Sequence, residues 1–364
     1  MMMLNSSSKR KTSHCSCIVA EEIVNGILSR LPVKSLKRFQ CVCKPWNDLI
    51  PEIDTNRLRL LYSPLLANPN PLLSIDYEAL NKGNDGLAIT ELQCPEVVKR
   101  NTSLKFLGSC NGLVCLEMEE QDGIVLWNPS TRETKLFPKP PPIGNESQFY
   151  GFGYDPSTED YKVMRGHSDH MKTVIEVFAV KRNTWRAHMD LCCIDLSFHD
   201  QGRFLNGALH WIKLGYMSSS IISFDLANDS FMETVPLPHC EPGDTKDLTS
   251  LGIGTTRNCL FVHSGPDTSD FNIWVMEEFG VRDSWTKVLN IPSEIIGRKH
   301  GHGEHCLKPL CILDSGEVLM EHDGNRLVLY NPREMTFRKI IKEDKDHSPI
   351  ETVAYIETLV SPVM

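Results

Sequence analysis

A hairpin that recurs about every fifty residues is the strongest constraint on the fold of this chain. IVLWNPSTRETKLF (124 to 137), VIEVFAVKRNTWRAH (174 to 188), IISFDLANDSFMETV (221 to 235), IWVMEEFGVRDSWTKVL (273 to 289) and LVLYNPREMTFRKI (327 to 340) each read as an apolar strand, a polar turn and a second strand. The residue early in the second strand is Thr134, Trp185, Phe231, Trp285 or Phe337, with separations of 51, 46, 54 and 52 residues. A second hairpin precedes each of these: SLKFLGSCNGLVCL (103 to 116), FYGFGYDPSTEDYKVM (149 to 164), RFLNGALHWIKL (203 to 214), LTSLGIGTTRNCLFVH (248 to 263) and LKPLCILDSGEVLME (307 to 321). In them Asn111-Gly112 and Asn206-Gly207 supply the positive φ of a tight two-residue turn, and Asp155-Pro156 and Ser315-Gly316 are also turn chemistry.

Two hairpins per period make four strands. Four-stranded sheets repeated near fifty residues are the signature of a β-propeller, in which radial packing hides most sheet edges. Five units are complete, and a sixth can be assembled from LLSIDYEAL (72 to 80), LAITELQC (87 to 94) and the C-terminal strand pattern ETVAYIETLV (351 to 360). Pairing the N-terminal strands with the C-terminal one would tie the ring. A two-sheet sandwich is the rival architecture, because strand spacing alone does not define closure.

The stretch before the repeats follows a different period. In IVNGILSRLPVKSLKRFQCVCKPWNDLI (23 to 50), Ile23, Ile27, Leu28 and Leu31 fall at helical spacing and Pro32 stops that helix. Leu36, Phe39, Val42, Trp46, Leu49 and Ile50 resume the pattern. The expectation is a helical hairpin too short to enclose its own apolar side chains, so the remaining surface meets either the rest of the chain or a partner.

Charge separates the same two parts. The chain carries a formal −9, yet residues 1 to 60 hold ten Lys and Arg against five Asp and Glu, leaving the remainder strongly acidic. An acidic body argues against nucleic-acid binding, which draws on clustered Lys and Arg. Thirteen cysteines without regular spacing, and a start without a signal-like apolar run, imply reduced thiols in the cytoplasm or nucleus. No stretch approaches the roughly 18 apolar residues of a membrane span. Residues 1 to 17 read as a basic mobile tail, with Lys9, Arg10 and Lys11 a weak nuclear address.

Chemistry-bearing motifs are sparse. His300, His302, His305 and Cys306 in RKHGHGEHC are the densest set of ligand types, but zinc sites usually take ligands from two separated pairs, and no second pair is present. An inter-blade loop is the preferred reading; on the loop face its histidines could make a contact with a partner protein pH-sensitive. Cys15 with Cys17, Cys41 with Cys43, and Cys192 with Cys193 form no metal spacing and are read as buried thiols. Trp127, Trp185, Trp211, Trp274 and Trp285 recur inside strands and are read as anchors between blades rather than as a sugar-binding surface. No nucleophile elbow, Walker loop, dinucleotide fingerprint or HExxH appears, so neither catalysis nor a cofactor has support.

Two resemblances add to this reading. LSRLPVKSLKRFQCVCKPWNDLI closely resembles the second half of an F-box, although Val19 and Ala20 stand where the family usually has Leu-Pro. Losing that proline removes a pre-set φ and should weaken helix initiation without abolishing docking. The resemblance implies docking on a Skp-type adaptor, and through it on cullin and RING subunits, by Val19, Ile23, Leu28, Leu31, Pro32, Val33, Leu36, Val42, Cys43 and Trp46. From about residue 104 onward, the phrases GSCNGLVCL, LWNPSTRETK, GFGYDPSTEDYKV, NGALHWI, IISFDL and WVMEEFGVRDSWTK are similar to the plant F-box-associated domain, a kelch-like module. Proteins similar in this way include S-locus F-box proteins, which recognise secreted ribonucleases, and others that regulate immune receptors. The resemblances imply an α+β chain with a helical F-box at 18 to 60 and an all-β propeller-like domain of about six four-stranded blades at 61 to 364. They imply a non-catalytic substrate receptor of a ubiquitin ligase, with the client unspecified. A carbohydrate- or small-molecule-binding propeller capped by the helices is the alternative.

Overall fold

The computed structural model describes residues 21–52, 57–64, 72–83, 88–98, 104–118, 123–138, 147–168, 172–192, 201–213, 219–232, 235–238, 251–256, 258–264, 270–296, 306–341 and 349–363. The chain divides into two units, Met1–Thr55 and Asn56–Met364. The first holds three short helices, α1 (Glu21–Leu28), α2 (Val33–Phe39) and α3 (Lys44–Leu49). The expected hairpin of two helices is thus broken once more, and the reason is Pro45. It lies in the first turn of α3, with Cys43 as the extended N-cap. Inside one continuous helix its ring would clash with the carbonyl of Cys41, whereas in a first turn its missing N–H costs nothing.

The second unit is six four-stranded antiparallel sheets. Blade 2 is β4 (Leu104–Cys110), β5 (Leu113–Met118), β6 (Gly123–Trp127) and β7 (Thr134–Pro138). Blade 3 is β8 (Ser147–Asp155), β9 (Asp160–Ser168), β10 (Lys172–Ala179) and β11 (Thr184–Cys192). Blade 4 is β12 (Arg203–Leu205), β13 (Ala208–Lys213), β14 (Ser220–Asp225) and β15 (Ser230–Phe231). Blade 5 is β16 (Gly252–Thr256), β17 (Cys259–Ser264), β18 (Phe271–Met276) and β19 (Trp285–Ile291), and blade 6 is β20 (Leu307–Ile312), β21 (Val318–His322), β22 (Arg326–Asn331) and β23 (Thr336–Lys339).

Blade 1 closes the ring. Its sheet order places the last strand, β24 (Ile350–Ile356), beside β1 (Leu58–Pro64), followed by β2 (Leu72–Asp76) and β3 (Ile89–Leu92). Leu58 pairs with Ile356 and Pro64 with Ile350. The first strands of successive blades touch in sequence, β24 to β4, β8, β12, β16, β20 and back to β24, so they line a common axis. That circuit excludes the two-sheet sandwich.

Two details of blade 1 differ from the sequence reading. β1 begins at Leu58, ahead of the residue-60 boundary drawn from the F-box resemblance, and its LRLLYSP was not recognised as a strand. The expected strand over 72 to 80 ends at Asp76, whose side chain accepts from Glu78 N at 2.9 Å and Ala79 N at 3.2 Å and starts helix α4 (Tyr77–Asn81). An acidic N-cap satisfies two orphan amides, which an extended Tyr77 and Glu78 could not offer.

The core is divided among the blade interfaces. Leu60 and Tyr62 of blade 1 pack with Leu319 and Leu329 of blade 6, and Leu61 and Val353 with Val114 and Trp127 of blade 2. Leu113 and Phe137 of blade 2 meet Phe152 and Phe178 of blade 3, while Phe149 of blade 3 meets Trp211 of blade 4. Ile212 of blade 4 meets Trp274 of blade 5, and Ile273 of blade 5 meets Tyr330 of blade 6. Middle strands are therefore covered on both faces, which is why β5 is buried at every position. The recurrent aromatic sits near the start of the outer strand in blades 3 to 6, cross-paired as Phe178↔Trp185, Phe224↔Phe231, Met276↔Trp285 and Tyr330↔Phe337. The indole N–H groups of Trp185 and Trp285 donate to Pro138 O at 3.0 Å and Pro236 O at 2.9 Å, carbonyls of the preceding blades. Trp127, Trp211 and Trp274 are buried, so the tryptophans act as inter-blade anchors.

Candidate protein-docking site

The helical unit leaves several large apolar side chains uncovered. Ile23 is 56% exposed, Ile27 57% and Val42 61%, whereas most large aliphatic side chains of the propeller are sealed. Ile23 and Ile27 stand four residues apart on α1, so their side chains are neighbours on one face. Pro32 is the N-cap of α2 with φ −59° and ψ 145°, and its carbonyl accepts from Ser35 N at 2.8 Å and Leu36 N at 3.1 Å. This extended residue sets the corner between α1 and α2. The Phe39 and Trp46 rings lie 5.5 Å apart at 57°, which joins α2 to α3 through an aromatic contact.

The residues expected to face an adaptor fall into three groups. Ile23, Pro32, Val42 and Cys43 are exposed, and Leu31 and Trp46 are half-buried. Leu28, Val33 and Leu36 are at most 1% exposed and present no outward surface. Val19 lies outside the described residues. Ile27, exposed beside Ile23, was not among the residues expected to face an adaptor, although its spacing from Ile23 was legible in the sequence. Cys41 and Cys43 are exposed free thiols, which corrects their reading as buried. They sit in the break between α2 and α3, where chain is spent on a turn and none is left to cover them. Cys15, Cys17 and Cys193 lie outside the described residues, and so does the side chain of Cys192.

On the propeller, antiparallel order puts the turns from first to second strand and from third to fourth strand at one end. The Asn-Gly turns have the expected geometry, with φ 49° and 80° at Asn111 and Gly112 and 50° and 77° at Asn206 and Gly207. The connections between blades leave from the opposite end. His300, His302 and His305 belong to the connection between β19 and β20 and lie outside the described residues. Among the described residues no group of three or more His, Cys, Asp or Glu side chains is placed to hold a metal ion. Burial raises the thiol pKa of both Cys110 and Cys115, which leaves them protonated and unreactive at neutral pH.

No helix among the described residues is long and apolar enough to cross a membrane. Residues 21–57 match the F-box domain model, and residues 73–361 match the F-box associated beta propeller domain. An F-box/kelch-repeat protein of Arabidopsis thaliana is 28% identical across 94% of this chain and 95% of that protein. The F-box protein CPR1 of the same plant is 29% identical, covering 85% of this chain and 81% of its own length. Among solved structures, a chain of a nidogen/laminin complex aligns over 83% of this chain and 99% of its own length with a TM-score of 0.47 and 10% identity. TolB from Acinetobacter baumannii aligns over 82% of this chain and 66% of its own, with a TM-score of 0.48 and 12% identity. The chain therefore belongs to the family of F-box proteins that carry an F-box associated β-propeller, the family of its Arabidopsis relatives.

Proposed function

We propose that this chain is the substrate-recognition subunit of a Skp/cullin/F-box ubiquitin ligase, in which the helical unit docks on a Skp-type adaptor and the propeller recruits a client protein. F-box proteins are generally non-catalytic adaptors, and this chain acts by holding the client near a ubiquitin-carrying enzyme brought by another subunit. The single observation that carries the reading is an F-box match over 21–57 that coincides with exposed Ile23, Ile27 and Val42. An apolar helix surface of this kind gains about 25 cal/mol per Å² when a partner covers it. Leu28, Val33 and Leu36 hold the helices in shape, while Leu31, Pro32, Cys43 and Trp46 frame the contact. The complex works in the cytoplasm, the nucleus or both.

Capture of the full-length chain by a purified Skp-type adaptor tests this. Ile23→Asp with Ile27→Asp is expected to weaken capture at least about tenfold, because each places a charge where an apolar contact was made. Circular dichroism should show the propeller unchanged. Wild-type capture by the adaptor failing outright, or the double variant binding as well as wild type, would remove the reading.

A further inference from the structure

Three Asn-Gly pairs occur in the chain: Asn25-Gly26, Asn111-Gly112 and Asn206-Gly207. This dipeptide carries a chemistry of its own. The glycine nitrogen attacks the asparagine Cγ, a C–N bond forms, the Cγ–Nδ2 bond breaks, and ammonia departs to leave a five-membered succinimide. Water then opens the ring at either carbonyl and gives aspartate or isoaspartate, so one water enters and one ammonia leaves. Glycine in second place makes ring closure easiest, because no Cβ obstructs the approach. Asn25-Gly26 lies inside α1, whereas the other two pairs are tight turns of the propeller.

The two turns share one backbone geometry, with φ 49° and 80° in the first and 50° and 77° in the second, and differ in what surrounds them. Closing the succinimide needs the asparagine rotated out of the hairpin turn, so the turn that opens more often reacts first. Asn111 is held shut. Thr358 Oγ1 donates to Asn111 O at 3.0 Å, the Tyr161 hydroxyl hydrogen-bonds the Asn111 side chain, and a Cβ on Gly112 would lie 2.1 Å from Thr358 Oγ1. Behind this turn β4 and β5 form six cross-strand pairs. Asn206 is exposed, and among the described residues no hydrogen bond fixes its side chain. A Cβ on Gly207 would meet only Pro156 Cδ, at 3.9 Å, among the described residues, and β12 and β13 form three pairs behind the turn. Two bonds hold its flanks, from Leu226 N to Gly207 O at 3.1 Å and between His210 Nε2 and Leu205 O at 3.2 Å.

We propose that Asn206-Gly207 is a site of spontaneous deamidation in the folded chain, with water as the co-reactant, and that Asn111-Gly112 is protected by the segment after β24. The product puts a carboxylate at the tight-turn end of blade 4. Its isoaspartate form carries the main chain through Cγ, one atom longer, which a two-residue turn closed by three pairs does not absorb without losing its geometry. The change runs one way, so the age of the chain is recorded at the β12–β13 turn. It involves none of the adaptor-docking helices and stands or falls independently of adaptor capture.

The full-length chain is held in mildly alkaline buffer, which favours the amide anion that attacks, and sampled over time by peptide-mapping mass spectrometry. Asn206 is expected to convert at least about fivefold faster than Asn111, because the less supported hairpin opens more often. In denaturant both turns are lost, and the two rates should agree within about twofold. Thr358→Val removes the hydroxyl bond to Asn111 O and should speed Asn111 several-fold while leaving Asn206 unchanged. The wild-type comparison, folded against denatured, decides alone if that variant does not fold. Equal rates in the folded chain, a preference for Asn206 that persists in denaturant, or an Asn111 rate indifferent to Thr358→Val in the folded variant would overturn the proposal.

Discussion

Lys162→Met should loosen the seam between blades 3 and 4. The Lys162 side chain is 8% exposed and its ammonium lies 3.1 Å from Asp155 Oδ2, whose side chain is 0% exposed, and 2.8 Å from Asp229 Oδ1 across the seam. It also donates to the carbonyl of Leu226, so one cation from β9 holds the outer turn of blade 4. Removing one partner of a buried ion pair costs about 3–5 kcal/mol, chiefly because the other charge is left uncompensated. Two features argue for the low end. Asp155 keeps hydrogen bonds from Ser157 and Thr158 at 2.7–2.8 Å, and Asp229 is 22% exposed and can hydrate. The expected loss is about 3 kcal/mol, or roughly 4–5 °C in thermal unfolding of a domain this large. Adding Asp155→Asn should restore part of it by removing the stranded charge. Burial on its own would raise the Asp155 pKa, but hydrogen bonds from Ser157, Thr158 and Lys162 outweigh it and hold the carboxyl below the usual range. A carboxyl lowered on folding contributes stability above its unfolded pKa near 3.9, and that contribution fades as pH falls toward the folded value. The gap between wild type and Lys162→Met should therefore narrow below about pH 4. A loss under about 1 kcal/mol, with no recovery from Asp155→Asn, would show that the triad is not what joins these blades.

Two further outcomes follow from buried groups. Burial lowers the pKa of His210 to about 4 and that of His263 to about 3, the latter helped by Lys308 and Arg203, so both imidazoles fold neutral. Their stability contribution is complete above the unfolded pKa near 6.5 and is lost as pH falls, by up to about 1.4 kcal/mol per unit for each, so melting measured from pH 7.5 to 5 should slope downward and His210→Gln should flatten it. Asn128 is 0% exposed and its amide donates to Thr358 O at 3.0 Å and Val360 O at 2.7 Å, clasping the segment after β24; Asn128→Ala should cost about 2 kcal/mol in denaturant unfolding and expose the C-terminus to carboxypeptidase.

The propeller was legible because its period is written in turns and aromatic anchors, which are local features. Asn111-Gly112 needs no tertiary information to be a tight turn, and Trp285 marks the start of an outer strand wherever that strand packs. Blade 1 was harder because its four strands come from both ends of the chain, and no local pattern pairs Leu58 with Ile356. β1 was hidden for a second reason: LRLLYSP follows a helical stretch with only a short connection and lacks alternation, since its last five residues are all buried. The F-box helices were visible from apolar spacing, but spacing cannot separate the outward Ile27 from the inward Leu28, its neighbour in sequence. A cavity of about 670 Å³ at one end of the propeller was not legible at all. Its wall joins Tyr77, Asn206 and Asp314, which only ring closure brings together.

The two ends of the propeller differ in how they tolerate added chain. Turns between first and second strands in blades 2 to 6 are two to five residues long, whereas the connections between blades run from eight to twenty. Lengthening an already long connection costs only about 0.6 kcal/mol per doubling, because loop-closure entropy grows slowly. Lengthening the Asn111-Gly112 turn is a different perturbation. A Cβ on Gly112 would lie 2.1 Å from Thr358 Oγ1, and the same hydroxyl donates to Asn111 O at 3.0 Å, so this turn is packed on the segment that follows the closing strand. Four Gly-Ser residues inserted between Pro138 and Ser147 should therefore leave unfolding within about 1 kcal/mol of wild type. The same insertion between Asn111 and Gly112 removes the positive-φ turn and its contact with Thr358, and should cost about 3 kcal/mol or more. Equal losses at both places would mean that ring closure does not constrain this end. The unequal outcome gives a physical reason for the two ends to differ: added chain is cheap where the blades are linked and costly where the turns are tight.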